Sequence, residues 1–216
     1  MRWVVAVFFA CAGLVRPVAA AQLSVDLTDD HGKAISDAVV TLALDSAHST
    51  VAVRLPSATH VIDQKDETFI PYVQIFRPGD WVVFRNSDAT RHHVYSFSNV
   101  KRFDFMLKPG QSSPAILLDK PGIAAVGCNI HDQMATYLFI SAVASIALSD
   151  EKGHAVFNDI ASGNYTVHVW HPQLPPGQVE PTQKVIIAAG PQVSRLAFTF
   201  PLLPDPRETM DRDHAQ

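Results

Sequence analysis

Along most of this chain the hydrophobic positions recur with a period of two. Leu23, Val25 and Leu27 fall on one side of an extended segment, and Val40, Leu42 and Leu44 on one side of the next. Such alternation predicts strands that bury one face. Asp29-Asp30-His31-Gly32-Lys33 lies between them and carries turn chemistry. Trp81-Val82-Val83-Phe84 is continuously apolar, which predicts a strand covered on both faces. His92 to Phe97, Ala124 to Cys128 and Ala135 to Ile140 are further strand candidates. Arg77-Pro78-Gly79-Asp80, Lys108-Pro109-Gly110-Gln111 and Lys120-Pro121-Gly122 separate them as turns. Short strands at regular spacing with Pro/Gly turns predict an all-β protein built of sandwiches or barrels.

The late part of the chain returns to the style of its beginning. Ile146 and Leu148 alternate, and Asp150-Glu151-Lys152-Gly153-His154 echoes the turn at Asp29. Tyr165, Val167 and Val169 then share a face, and a proline-rich loop from His171 to Pro181 follows Trp170. A two-stranded hairpin is not stable alone, so the early strands need partners. The expected organisation is one small sandwich made from residues 22–56 and 144–200, with residues 57–143 inserted as a second unit. Residues 201–216 have charges and prolines but no periodicity, and are expected to form a disordered tail.

The N-terminus changes the compartment. Arg2 precedes an apolar run from Trp3 to Val15, and Ala19-Ala20-Ala21 offers a cleavage site before Gln22. This predicts that residues 1–21 are a secretory signal peptide rather than a membrane anchor, and that the protein is periplasmic. Losing Arg2 and Arg16 takes the formal net charge from −4 to −6, which argues against a nucleic-acid partner. Cys11 leaves with the same segment, so Cys128 becomes a lone cysteine in an exported chain. An exported cysteine normally pairs, and metal ligation is one reason for one that does not.

Cys128 opens the run Cys128-Asn-Ile-His131-Asp-Gln-Met134, with spacing C-x2-H-x2-M. Cys, His and Met are the donors that favour copper, and a thiolate, two imidazoles and a weak axial thioether form a type 1 site. A second histidine stands upstream in Asn86-Ser-Asp-Ala-Thr-Arg-His92-His93-Val94. Alternation along that strand does not choose between His92 and His93. Met106 is a rival to Met134, but is remote from the run. Singly, each residue has a plainer role in a loop or a core. Jointly, Cys128, His131 and Met134 with one histidine of the pair His92 and His93 predict one metal site. No H-x-H pair occurs to build further copper sites, no catalytic constellation stands out, and His168 and His171 read as structural or surface residues.

On these motifs residues 60–140 resemble the cupredoxins, most of all amicyanin-type blue copper proteins. The family pattern N-x5-H-N-V is met by Asn86, His92 and Val94, which selects His92. The pattern C-x2-H-x2-M is met by Cys128, His131 and Met134. His93 departs from the family, which usually has there an Asn that locks the ligand loop; an imidazole N–H is the expected substitute. The flanking segments resemble a carboxypeptidase-regulatory-like β-sandwich, and the whole chain resembles exported proteins of the methylamine utilization type. The resemblance implies a Greek-key β-sandwich and one type 1 copper. It also implies electron transfer rather than an enzymatic reaction, through the edge of His131, with a c-type cytochrome or periplasmic dehydrogenase as partner. Copper delivery or storage, and a non-redox scaffold, are the other roles open to such a chain.

Overall fold

The computed structural model describes residues 21–45 and 56–207. The predicted signal peptide therefore lies outside the described residues except for Ala21, which opens the first strand. In chain order the strands are β1 (Ala21–Thr28), β2 (Val39–Leu44), β3 (Thr59–Lys65), β4 (Thr68–Ile70), β5 (Val73–Phe76), β6 (Asp80–Asn86), β7 (His92–Ser96) and β8 (Phe103–Leu107). They continue as β9 (Ile116–Leu118), β10 (Gly122–Cys128), β11 (Ala135–Ile140), β12 (Ser145–Leu148), β13 (His154–Ile160), β14 (Gly163–Trp170), β15 (Thr182–Ile187) and β16 (Val193–Thr199). The all-β expectation holds, and no helix among the described residues is long and apolar enough to cross a membrane.

The strands sort into four sheets. Three strands in the order β13-β1-β16 and four in the order β12-β2-β14-β15 enclose one core. Alternation builds it: Leu23, Val25 and Leu27 of β1 are fully buried against Val40, Leu42, Val167 and Val169. Each such aliphatic side chain contributes about 2 kcal/mol on leaving water. The two echoing turns do the same work in this unit. The Asp29 carboxylate accepts the N–H groups of His31 and Lys33, and that of Asp150 accepts those of Lys152 and His154. These two bonds hold the Asp150 carboxyl below the usual range, the His154 amide first. Gly153 sits in the second turn at φ +77°, and a Cβ there would lie 2.3 Å from the Leu27 carbonyl oxygen.

The other two sheets have the orders β4-β3-β6-β9 and β5-β11-β10-β7-β8. Phe69, Phe76, Phe84, Val94, Val126 and Leu138 fill the space between them. The chain leaves the first sandwich after β2 and re-enters it at β12, and these two strands pair directly, Leu42 opposite Ser145. The points at which the chain leaves and re-enters the first sandwich thus lie side by side.

The two sandwiches meet over an apolar seam. Tyr72 and Val73 pack on Val39, with Ile75, Tyr137, Phe139, Ile146, Leu148 and Trp170 around them. Trp170 lies edge-on to Tyr137 at 5.8 Å and tilted on Phe139 at 5.3 Å. It thus joins the two units.

Part of the expected disordered tail is instead fixed. Residues 201–207 fold back onto the protein, with Leu202 against the first core and the Leu203 amide on the Gln173 carbonyl. Arg207 stacks 3.7 Å above the Tyr72 ring and binds Asp37 and Asp205 at 3.0 and 2.7 Å. One cation between two carboxylates and a ring orders a segment without leaving any hydrophobic period to read. Residues 208–216, the rest of the expected tail, lie outside the described residues.

Candidate metal centre

Cys128 is the last residue of β10 and Met134 directly precedes β11, so the ligand loop is the connection of one antiparallel pair. Its base is closed by the Cys128 amide on the Met134 carbonyl at 3.2 Å and tightened by the Met134 amide on the His131 carbonyl at 3.1 Å. Gly127 faces Tyr95 across the β7–β10 pair, where a Cβ would meet the tyrosine ring at 3.0 Å. A side chain at residue 127 would require the Tyr95 ring to give way by a few tenths of an ångström.

His92 is fully buried at the start of β7, and its Nδ1 lies 3.7 Å from Cys128 Sγ. The His131 Nδ1 lies 4.0 Å from the same sulfur. Donor atoms of His92, Cys128 and His131 all fall within 4.8 Å of one another. Metal–sulfur and metal–nitrogen bonds of about 2.3 and 2.0 Å, set at about 110–120°, separate donors by roughly 3.7 Å, so these three residues fit a single ion. Met134 is 2% exposed and packs in the same core as Cys128. A thiolate, two imidazoles and a neighbouring thioether form a donor set suited to one type 1 copper.

The histidine pair is resolved by packing. His93 points out of the sandwich to Asp104 of β8, with a quarter of its side chain exposed. Met106 is also outward, 49% exposed and opposite His93. Among the described residues the His93 ring turns to Asp104 and makes no bond to the ligand loop. The His93 backbone carbonyl bonds the loop instead and accepts the Asn129 amide at 3.1 Å.

Sequence reasoning missed the carboxylates behind the ring nitrogens. Asp88 Oδ2 lies 2.8 Å from His92 Nε2. With Nδ1 turned to Cys128, Nε2 carries the proton and donates it to Asp88, an arrangement that fixes both tautomer and ring orientation. Asp88 also accepts the amides of Asp66 and Glu67 at 2.6 and 3.1 Å. Its position is set by buried Asn86, whose side-chain oxygen accepts the Asp88 amide and whose NH2 donates to the carbonyls of Thr90 and Leu107. The available signal was an Asp four residues before His92. At the second ring, Glu67 Oε1 lies 3.5 Å from His131 Nε2. No sequence signal pointed to it.

Beside the site, Arg85 of β6 pairs with Asp63 of β3 at 2.6 Å. The Arg85 hydrogen bond is the main influence that holds the Asp63 carboxyl below the usual range. Ser87 also bonds Asp63, which ties the start of the β6–β7 loop to the sheet.

The chain matches no family model and no curated protein. Solved structures similar to part of it include a copper-containing nitrite reductase from Thermus scotoductus SA-01, at 23% identity and a TM-score of 0.36, over 40% of this chain and 22% of the reductase. This chain therefore spans about a fifth of that enzyme's length. The Cu(I) form of a point mutant of amicyanin matches at 18% identity and a TM-score of 0.36, over 47% of this chain and 99% of amicyanin. Amicyanin from Paracoccus versutus matches at 17% identity and a TM-score of 0.36, over 47% of this chain and 98% of that one.

Proposed function

We propose that this protein is a periplasmic one-electron carrier with a single type 1 copper held by His92, Cys128, His131 and Met134. The observation that carries the reading is the convergence of donors from two separate parts of the fold, buried except at His131. Copper bound there would supply the one-electron couple. The chain's own residues keep the site rigid. β10 and β11 hold both ends of the loop, and the carboxylate of Asp88 fixes the ring of His92. A donor geometry that changes little between oxidation states keeps reorganisation on electron transfer small. His92, Cys128 and Met134 are shut away from water, whereas the His131 side chain is 20% exposed. That edge is the port for the electron.

In this reading residues 57–143 are the copper unit, seated in a small sandwich of the carboxypeptidase-regulatory-like kind formed by residues 22–56 and 144–200. Residues 1–21 direct export. The partner is a redox protein of the same compartment, a c-type cytochrome or a dehydrogenase. Voltammetry of copper-loaded residues 22–216 tests the proposal. A reversible Cu(II)/Cu(I) couple and rapid electron exchange with a c-type cytochrome are expected. Tight copper binding without a reversible couple would refute the carrier role.

A further inference from the structure

One short turn serves both histidines. Strands β3 and β4 are joined by Asp66 and Glu67 alone, with Lys65 paired to Thr68. Both turn residues have left-handed backbones, at φ 52° and 55°. A two-residue hairpin turn of this kind normally has Gly at its second position, since a side chain there is unfavourable. Here the second position is a glutamate. The Asp88 carboxylate takes the amides of both turn residues, and the same carboxylate holds the buried ring of His92. The strained turn is thereby anchored to one histidine, and its Glu67 side chain reaches Nε2 of the other.

We infer that Glu67 is a positioning residue for His131, favouring the tautomer that turns Nδ1 to Cys128 and adding negative charge at the port. This rests on the reading of His131 as a copper ligand. The contact at 3.5 Å is longer than a hydrogen bond, so its effect is electrostatic. The His131 Nδ1 faces the sulfur, which leaves Nε2 to carry the ring proton toward Glu67. A fixed carboxylate there favours that N–H. It would also stabilise the more highly charged state of a metal held by His131. Both side chains are partly exposed, 39% for Glu67 and 20% for His131, so solvent screens the effect. A strained, left-handed glutamate is otherwise unfavourable at a position that glycine would fill without cost.

Three variants in the full chain test this: Glu67→Gln, Glu67→Asp and Glu67→Gly. In copper-free protein, 15N NMR of His131 should show the Nε2–H tautomer dominating in the wild type. Its ratio to the other tautomer should fall about threefold in Glu67→Gln. In copper-loaded protein the same change should raise the reduction potential by up to about tenfold in the Cu(I):Cu(II) affinity ratio, or 59 mV for one electron. Glu67→Asp, which keeps the charge on a shorter arm, should lie between. Glu67→Gly should raise the thermal midpoint of the copper-free protein while shifting the tautomer ratio and the potential as Gln does. Unchanged tautomer ratio and potential in Glu67→Gln overturn the inference. If the wild type forms no blue copper site, the carrier reading fails. The tautomer ratio in copper-free protein still decides the role of Glu67.

Discussion

Replacing Asp88 with alanine removes one carboxylate and three hydrogen bonds. Its oxygens accept the amides of Asp66 and Glu67 and the Nε2 proton of His92. The three losses differ in size. Asp66 is exposed and Glu67 partly so, and water replaces the lost partner, leaving about 0.5–1.5 kcal/mol for each. The His92 ring has no exposure, so its N–H would be stranded at a cost of about 1–3 kcal/mol. The expected destabilisation is therefore about 2–6 kcal/mol. Asp88→Asn keeps one acceptor and should lose about half as much. Urea denaturation of the copper-free protein, followed by tryptophan fluorescence, measures both. Trp81 in β6 reports from the unit concerned. The same alanine variant should bind copper about 10–100-fold more weakly, because the ring of His92 is no longer oriented. A surface acid of no consequence would change stability by less than about 0.5 kcal/mol. If Asp88→Ala stays within that range, the carboxylate does not hold His92 and the reasoning is wrong.

Two further outcomes follow from the first sandwich. His171 is buried, donates from Nε2 to the Ser36 carbonyl and accepts the Gln173 amide at Nδ1. Burial pushes its pKa down from 6.5 to about 4, against the opposing pull first of the hydrogen bond to Ser36 and then of Asp37. The unfolded chain therefore binds the proton more readily. Stability is full above pH 6.5 and falls by about 3 kcal/mol as the pH drops to about 4. His171→Gln should flatten the urea midpoint across that window, and an undiminished slope would assign the pH dependence to other groups. Gly153→Ala combines a left-handed backbone with a Cβ placed 2.3 Å from the Leu27 carbonyl oxygen. It should cost at least about 3 kcal/mol, since β1 must move. A loss below about 1 kcal/mol in the same assay would contradict that.

The contrast between what was legible in the sequence and what was not has a physical basis. Period-two alternation is local, so Leu23, Val25 and Leu27, or Tyr165, Val167 and Val169, announce strands without any knowledge of partners. The C-x2-H-x2-M spacing is equally local, because one short loop carries three of the four residues. Alternation alone could not choose between His92 and His93, and the choice came from the resemblance carried by Asn86, His92 and Val94. Each lies on a face of β7, and only the packing of one face against Phe84, Leu107 and Val126 makes that face the inside. Glu67 was harder still, since its partner His131 comes from a separate loop that only the fold brings near, and Asp88, though four residues before His92, carries no local sign that it faces the ring. The Arg207 anchor escaped because ion pairs and ring stacking leave no periodic trace.

The central claim is that Cys128 and its neighbours hold one copper as a type 1 site. It is tested most directly by titrating copper into residues 22–216 and into the Cys128→Ser variant, read by visible absorption and EPR. One equivalent should give an intense blue band with a narrow copper hyperfine splitting, and both should vanish in the variant. A colourless Cu(II) complex that forms equally well without the Cys128 thiol would contradict it.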